Sequence, residues 1–160
     1  MKGELRPLLL LDVDGVLNPY PECPEGYSEY EFFPDDDEPV RLAQVHGDWL
    51  RELDSYFTMV WATGWGADAN RLLCPFYGLP ELPMIPLPQG KYEPSVKVKR
   101  IEDYVGKRAT AWVDDVVTEE FRRWVVDRPY PTLLVEVDHE VGLTRDAVDQ
   151  LIAWAEAIPT

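Results

Sequence analysis

The chain has little of what zinc-binding, disulfide-bonded or membrane proteins need. It has two cysteines, Cys23 and Cys74, and two histidines among 160 residues. These form no Cys-x-x-Cys pair and no His cluster, so we expect no structural zinc site. Its apolar runs are far shorter than the ~18 residues of a membrane span. The run Leu8–Leu11 is too short for a signal-peptide core. We therefore expect a cytoplasmic protein with reduced thiols and no membrane partner.

Positive charge is also scarce. The chain has 15 Lys and Arg residues against 30 Asp and Glu residues, which gives a net charge of −15. A field of this sign repels nucleic acids and anionic membrane surfaces, so we expect no nucleic-acid partner. It also repels phosphorylated substrates, and a phosphate site would need a local cation. Six of the acids lie between residues 29 and 38.

What the chain does have is apolar residues, at 46 % of the total, which is enough for one domain with its own core. Apolar runs alternate with helical patterns, which predicts an α/β fold with a mostly parallel central sheet and helices on both faces. Thr118, Thr144 and Ser95 are predicted N-caps. The predicted strands span 7–13, 57–63, 84–87, 109–113 and 132–137, and the predicted helices span 46–55, 68–76, 96–105, 118–125 and the stretch from 144.

Residues 19–40, which we call the flap, interrupt this alternation. They contain five prolines and show no helical periodicity, which favours a loop or an irregular hairpin. The flap directly follows a pair of aspartates, so we interpret it as a lid within a single domain of residues 1–160. Its aromatic side chains either contact a substrate or pack the flap down: Tyr20, Tyr27, Tyr30, Phe32 and Phe33.

The most informative stretch is residues 8–18, Leu-Leu-Leu-Leu-Asp-Val-Asp-Gly-Val-Leu-Asn. The four leucines are typical of a buried parallel strand, which ends here in Asp12 and Asp14. Alternation along an extended chain puts both carboxylates on one side. Gly15 then permits a sharp turn. Ligands of open α/β sheets bind beyond the carboxyl ends of the strands, so we expect the chemistry here.

Polar residues follow later predicted strands as well. Thr63 and Gly64 end the second strand, and Asp114 and Asp115 end a later one. A lysine near the start of the helix after residue 95 completes the set. Because the carboxyl ends of parallel strands share one edge of the sheet, we expect these side chains to meet.

This set of residue types suits phosphoryl transfer. A carboxylate nucleophile divides the very slow hydrolysis of a phosphate monoester into two easier steps through an aspartyl-phosphate. A second carboxyl group can protonate the leaving alcohol and later activate water. Clustered carboxylates repel one another, and a bound Mg²⁺ removes that repulsion. Thr and Lys side chains then stabilise the phosphoryl oxygens.

The order and spacing of these residues resemble the haloacid dehalogenase superfamily of phosphohydrolases over residues 8–115. The first motif of that family, Asp-x-Asp-Gly, matches Asp12 to Gly15. Its second motif, an apolar strand ending in Thr, matches Val60 to Gly64, and its fourth motif, a strand ending in paired acids, matches Trp112 to Asp115. The resemblance implies a three-layer, Rossmann-like α/β fold. Retention of an acid at Asp14 favours a phosphatase over a dehalogenase.

The resemblance also implies roles for individual residues. Asp12 would be the nucleophile and Asp14 the general acid and base. The phosphoryl group would bind Thr63 and a lysine, next to Gly15 and Gly64. Mg²⁺ would be held by the Asp12 carboxylate, the Asp14 backbone carbonyl and the pair Asp114–Asp115, and which member of that pair binds directly is open.

The third motif of that family is a lysine at or near the start of a helix that precedes the paired acids, and three lysines of this chain are candidates for it. Lys97 comes first because it lies two residues after the proposed Ser95 cap and four before the apolar Ile101. Lys99 and Lys91 are the alternatives. Members of that family usually carry a cap domain that closes over the substrate, inserted after the first motif or between the second and third. Neither stretch contains a predicted helical bundle here, so we expect at most a minimal cap domain. By analogy, an open site of this kind suits large phosphorylated substrates.

Two other functions remain open on the sequence. One is a non-catalytic protein of the same family that uses the acidic flap as a binding surface. The other is a receiver-type phospho-acceptor domain, although in such domains the acid pair ends the first strand and the phosphorylated aspartate follows on a middle strand. Trp65 and His139 are further candidates for the edge of the pocket.

Overall fold

The computed structural model describes residues 6–88 and 92–159, and it contains a four-stranded parallel sheet. The strands lie in the order β4-β1-β5-β6, and every neighbouring pair is parallel. The expected α/β class with a parallel sheet is therefore confirmed. In chain order the elements are β1 (Leu8–Leu11), β2 (Ser28–Tyr30), β3 (Val40–Leu42), α1 (Val45–Leu53), β4 (Thr58–Trp61), a π-helical segment (Ala69–Leu73), α2 (Cys74–Tyr77), α3 (Pro94–Val105), β5 (Thr110–Asp114), α4 (Glu119–Asp127), β6 (Thr132–Glu136) and α5 (Arg145–Ala157).

Helices cover both faces of this sheet, which makes three layers. The odd-numbered leucines of β1 belong to a core cluster that includes Leu50 of α1 and Leu151 of α5. The even-numbered leucines belong to a second cluster that includes Ile101 of α3 and Phe121 of α4. Because β1 is buried on both faces, it needs an unbroken apolar run rather than alternation. This arrangement is compatible with a Rossmann-like fold.

The chain connections diverge at β1. After β1 the chain continues to β4 on one side of it, and it later returns to β5 on the other side. In open α/β sheets such a switch in strand order leaves a crevice at the carboxyl ends of the strands. Asp12 follows β1 directly, so the topology places it at this crevice.

Several predicted elements differ from the structure. The predicted strand 84–87 is wrong, because only Met84 forms an isolated bridge, to Trp61. Pro86 lacks the N–H that a longer ladder needs. The predicted helix 68–76 is a π-helical segment followed by α2, and it ends at Gly78 with φ +70°. Pro75 lies inside the first turn of α2, where its missing N–H has no consequence.

Two of the three predicted N-cap residues are confirmed and one is wrong. The hydroxyls of Thr118 and Thr144 accept the backbone N–H of the residue three positions later, as predicted. Ser95 is not a cap, because Glu93 precedes a helix that begins at Pro94. The fixed φ of proline favours the first helical position, which moves the helix start upstream.

The flap contains a small antiparallel pairing of β2 with β3. The buried guanidinium of Arg41 holds it through Glu38 at 2.9 Å and Glu29 at 3.4 Å. Tyr30 packs edge-on against Phe76, with ring centroids 5.2 Å apart. Of the two alternatives for the flap aromatics, Tyr30 therefore fits the second, in which the aromatic side chains pack the flap down. No helix among the described residues is long and apolar enough to cross a membrane.

Candidate active site

Asp12 is held at the carboxyl end of β1 by backbone contacts. Its Oδ1 accepts a hydrogen bond from the Val13 N–H at 2.8 Å, and its own N–H donates to the Val113 carbonyl of β5 at 3.3 Å. Burial raises the pKa of the Asp12 carboxyl well above its usual value, and Lys97 opposes this shift only in part. A carboxylate in this position needs a cation nearby to stay charged.

Lys97 supplies that cation. Its side chain is only 7 % exposed, and its Nζ lies 2.6 Å from Asp114 Oδ2 and 3.5 Å from Asp12 Oδ2. Burial lowers the pKa of Lys97, but the two carboxylates outweigh burial, so the pKa lies above its ordinary value. The structure thus brings together Lys97 and the acids, as the sequence predicted.

Of the two alternative lysines, the structure describes only Lys99, which lies away from the acids. The Lys99 side chain is 68 % exposed, and it pairs with Asp103 at 2.9 Å, one helical turn away. Lys91 lies outside the described residues. Of the candidates that the structure describes, Lys97 alone lies beside Asp12 and Asp114.

Asp114, the last residue of β5, and Asp115, which follows it, have different environments. Asp114 is almost fully buried, and its carboxylate accepts hydrogen bonds from the Trp112 indole at 3.2 Å and from the Val116 N–H at 3.0 Å. Asp115 is half-buried, and the Tyr20 hydroxyl donates to its Oδ2 at 3.0 Å. Burial and the charge of Asp114 raise the pKa of Asp115 to about 6. Asp114 thus anchors Lys97, while Asp115 has fewer partners.

Three of these carboxylates form a cluster with the dimensions of a cation site. One oxygen each from Asp12, Asp114 and Asp115 lie within 4.8 Å of one another. Lys97 contributes a single positive charge against three carboxylates. Hard oxygen ligands of this kind suit Mg²⁺. Burial is the main cause of the raised pKa values of Asp12 and Asp115, repulsion between the acids adds to it, and a divalent cation would relieve that repulsion. The residues present therefore fit a divalent cation.

Asp14 lies in the same cavity but has its own partners. Its Oδ1 accepts hydrogen bonds from the Asn18 amide and from the Trp65 indole, both at 3.0 Å. Its carboxylate does not belong to the three-acid cluster. Asp12 and Asp14 thus share a cavity, as alternation predicted, but contact different groups.

Gly15 is required by both its backbone and its surroundings. Its φ is +83°, and a Cβ built there would lie 2.2 Å from Asp115 Cγ. The turn after Asp14 therefore passes against the second acidic strand end with no room for a side chain. This close approach keeps the first motif and Asp115 in contact.

We expect Gly15→Ala to destabilise the protein more than Gly26→Ala does. Gly26 has a similar φ of +90°, but a Cβ built there would have no atom within 4 Å. Gly26→Ala therefore measures the backbone strain alone, without a steric clash. That strain costs about 1–2 kcal/mol, and the clash at Gly15 adds about 1–3 kcal/mol. Chemical denaturation of both variants measures the difference. Equal unfolding free energies for the two would contradict the close approach.

All of the expected site residues except Gly15 line one cavity of about 510 Å³. Gly15 is buried behind it, against Asp115. Thr63 is buried at its wall, and its Oγ1 accepts the Trp65 N–H at 3.2 Å, which leaves its hydroxyl proton for a ligand. A neighbouring groove of about 740 Å³ runs under the flap and shares Asp14, Tyr20 and Trp65 with the cavity. The cavity is lined by Asp12, Asp14, Tyr20, Thr63, Gly64, Trp65, Tyr92, Pro94, Lys97, Asp114, Asp115, Val116 and Phe121.

Several of these residues were not found from the sequence. Tyr92 gave no signal, because it lies in an irregular stretch between the second and third motifs. The bond from Tyr20 to Asp115 joins residues 95 positions apart, which no local pattern reveals. His139 stacks on Tyr20 with ring centroids 4.6 Å apart, so it supports a cavity wall and is absent from the lining itself.

The arrangement has the parts of a nucleophilic site for an anionic substrate. It offers a carboxylate beside a buried ammonium group, a second carboxyl group, a hydroxyl donor and a cluster of hard oxygen ligands. Four carboxylates against one lysine repel an anion, so an anionic substrate would need a divalent cation beside Lys97. Comparison of the chain with protein-family models, with curated proteins and with solved structures found no match.

Proposed function

We propose that the protein is a Mg²⁺-dependent phosphomonoester hydrolase of the haloacid dehalogenase superfamily, with at most a minimal cap. One observation carries the proposal: the Asp12 carboxylate lies 3.5 Å from the buried Lys97 ammonium in a cavity that also holds Asp14. A nucleophile, a cation for the phosphoryl group and a proton carrier are the minimum that two-step ester hydrolysis needs. The substrate is a phosphorylated small molecule or protein.

In the first step, an Asp12 carboxylate oxygen attacks phosphorus and the P–O bond to the alcohol breaks. The leaving oxygen takes a proton from Asp14, and Asp12 becomes an aspartyl-phosphate. In the second step, water attacks this phosphorus while Asp14 accepts a proton from the water. The bond between Asp12 and phosphorus then breaks, which releases inorganic phosphate and restores both carboxyl groups.

Lys97 and Thr63 stabilise the charge that develops on the phosphoryl oxygens. Both side chains are buried at the cavity wall, where electrostatic interactions are stronger than in bulk water. Lys97 is already fixed by Asp114, so its position costs little reorganisation during the reaction. A cation is indispensable here, because the net charge of the protein repels phosphate esters.

Mg²⁺ would be held by the carboxylates of Asp12 and Asp115 and by the backbone carbonyl of Asp14, with Asp114 beside them. Bound there, it would act as a Lewis acid toward a phosphoryl oxygen. The three-acid cluster and the raised pKa values of Asp12 and Asp115 support this assignment.

We expect Mg²⁺ to raise the melting temperature of the wild-type protein and to raise that of Asp115→Asn much less. Binding to the folded state alone stabilises it by about 2.7 kcal/mol at 100 times the Kd. Asp127→Asn makes the same charge change on exposed α4 and should retain the wild-type response. A thermal-shift titration with MgCl₂ measures all three. Equal shifts in the two variants would contradict the site.

The reaction itself is tested by hydrolysis of p-nitrophenyl phosphate with and without Mg²⁺. We expect turnover that depends on the metal. If none occurs, beryllium fluoride with Mg²⁺ can be tested for binding at Asp12, because this complex mimics an aspartyl-phosphate. Stable binding without turnover would favour a phospho-acceptor or binding protein over a hydrolase. The absence of both turnover and binding would contradict the proposed function altogether.

A further inference from the structure

The carboxyl group of Asp14 is held at one of its two oxygens. Two donors, the Trp65 indole N–H and the Asn18 amide, reach Oδ1 at 3.0 Å each. Among the hydrogen bonds of the described residues, both to this side chain go to Oδ1. A carboxyl group fixed in this way keeps Oδ2 as the oxygen that can carry a proton.

Both donors are themselves fixed. The Trp65 ring packs edge-on against Phe33 of the flap at 5.3 Å, and its backbone N–H is bound to Thr63 Oγ1. The Asn18 Oδ1 accepts the Arg41 N–H of β3 at 2.8 Å. The indole and the amide therefore have defined positions before they meet Asp14, and a rigid partner orients a functional group better than a mobile one.

We propose that Trp65 is a positioning residue for proton transfer by Asp14. This inference rests on the proposed function. When the leaving alcohol takes its proton from Asp14 Oδ2, the resulting carboxylate keeps the Trp65 and Asn18 hydrogen bonds at Oδ1. These bonds strengthen as the negative charge forms, because hydrogen bonds to ionised acceptors are roughly twice as strong as neutral ones. Trp65 thus stabilises the product of the proton transfer and fixes its direction.

The role of Trp65 also points to a substrate class. An aryl phosphate such as p-nitrophenyl phosphate releases a stable phenolate, which needs little protonation. An alkyl phosphate releases a strongly basic alkoxide, for which general acid catalysis contributes about 10²–10⁴-fold. In the second step Asp14 serves both classes alike, but in the first step a positioned proton donor matters only for the second class, so we infer that the substrates are esters of ordinary alcohols.

The test compares wild type with Trp65→Phe on propyl phosphate and p-nitrophenyl phosphate. Phenylalanine keeps an aromatic ring against Phe33 but has no N–H. We expect kcat/KM for propyl phosphate, which reports the steps up to release of the alcohol, to fall about tenfold, with kcat/KM for p-nitrophenyl phosphate within about twofold of wild type. Trp154→Phe in α5, outside the cavity, is the matched control and should leave both rates unchanged.

Each outcome separates the inference from the function on which it rests. Equal losses on the two esters would mean that Trp65 merely supports the site, and unchanged rates on both would mean that it does not act on Asp14. Either result would overturn the positioning role while the hydrolase function stood. A wild-type protein that hydrolysed neither ester would overturn the hydrolase function itself, and the role of Trp65 with it.

Discussion

Asp12→Asn is expected to abolish hydrolysis of p-nitrophenyl phosphate, with a loss on the order of 10⁴-fold or more, as for other removed nucleophiles. The amide is nearly the same size as the carboxylate, but it cannot form the acyl-phosphate bond. Its oxygen can still accept the Val13 N–H. Burial disfavours the charged form of Asp12, so a neutral side chain should preserve the fold. Steady-state turnover and circular dichroism measure the two effects.

Two further variants sharpen the assignment of the nucleophile. Asp14→Asn should still form a covalent phosphoprotein from p-nitrophenyl phosphate, which acid quenching and intact mass measurement would detect. Asp12→Asn should form none. Asp127→Asn, a neutralised acid on α4, should behave as wild type in both assays. Wild-type turnover by Asp12→Asn would show that another group attacks phosphorus.

The assembly of the site could be predicted because it depends on topology. Asp12, Thr63 and Asp114 follow three neighbouring parallel strands, and the carboxyl ends of such strands meet at one edge. The position of Lys97 followed from its place in the first turn of a helix with an apolar face. None of these steps needed the details of side-chain packing.

The errors arose where local chemistry decides the structure. Ser95 and Pro94 compete for the same helix start, and the fixed φ of proline outweighs the capping hydroxyl. The stretch 84–87 has apolar residues at strand spacing, but its prolines limit it to one bridge with Trp61. Propensity alone does not rank such competing signals.

The partners of Asp14 and Asp115 could not be predicted, because they come from the flap and its contacts. Tyr20 reaches Asp115 across 95 positions, and Trp65 reaches Asp14 across 51. These contacts depend on how residues 19–40 pack, and that segment has no periodicity from which its path could be read. Sequence reasoning therefore predicted the acids, Thr63 and Lys97 of the candidate site more readily than the side chains that contact them.

Lys97→Met is expected to lower turnover of p-nitrophenyl phosphate by about 10²–10³-fold, which corresponds to about 2.7–4 kcal/mol of lost transition-state stabilisation. Methionine fills a similar volume in the buried position but carries no charge. The matched control is Lys99→Met, two residues along the same helix, where an exposed side chain pairs only with Asp103. That variant should keep the wild-type rate within about twofold, since Lys99 does not line the cavity.

Loss of Lys97 also leaves Asp12 and Asp114 buried without their cation, and breaking a buried pair costs about 3–5 kcal/mol of stability. The rate must therefore be measured at a temperature where urea titration shows the variant to be folded. Mg²⁺ should restore stability more than activity, because a cation at the acid cluster offsets repulsion but does not replace the ammonium donor to the phosphoryl oxygens. A folded Lys97→Met variant with an unchanged rate would mean that Lys97 does not stabilise the phosphoryl oxygens. Lys91 and Lys99 would then be the remaining candidates for that role.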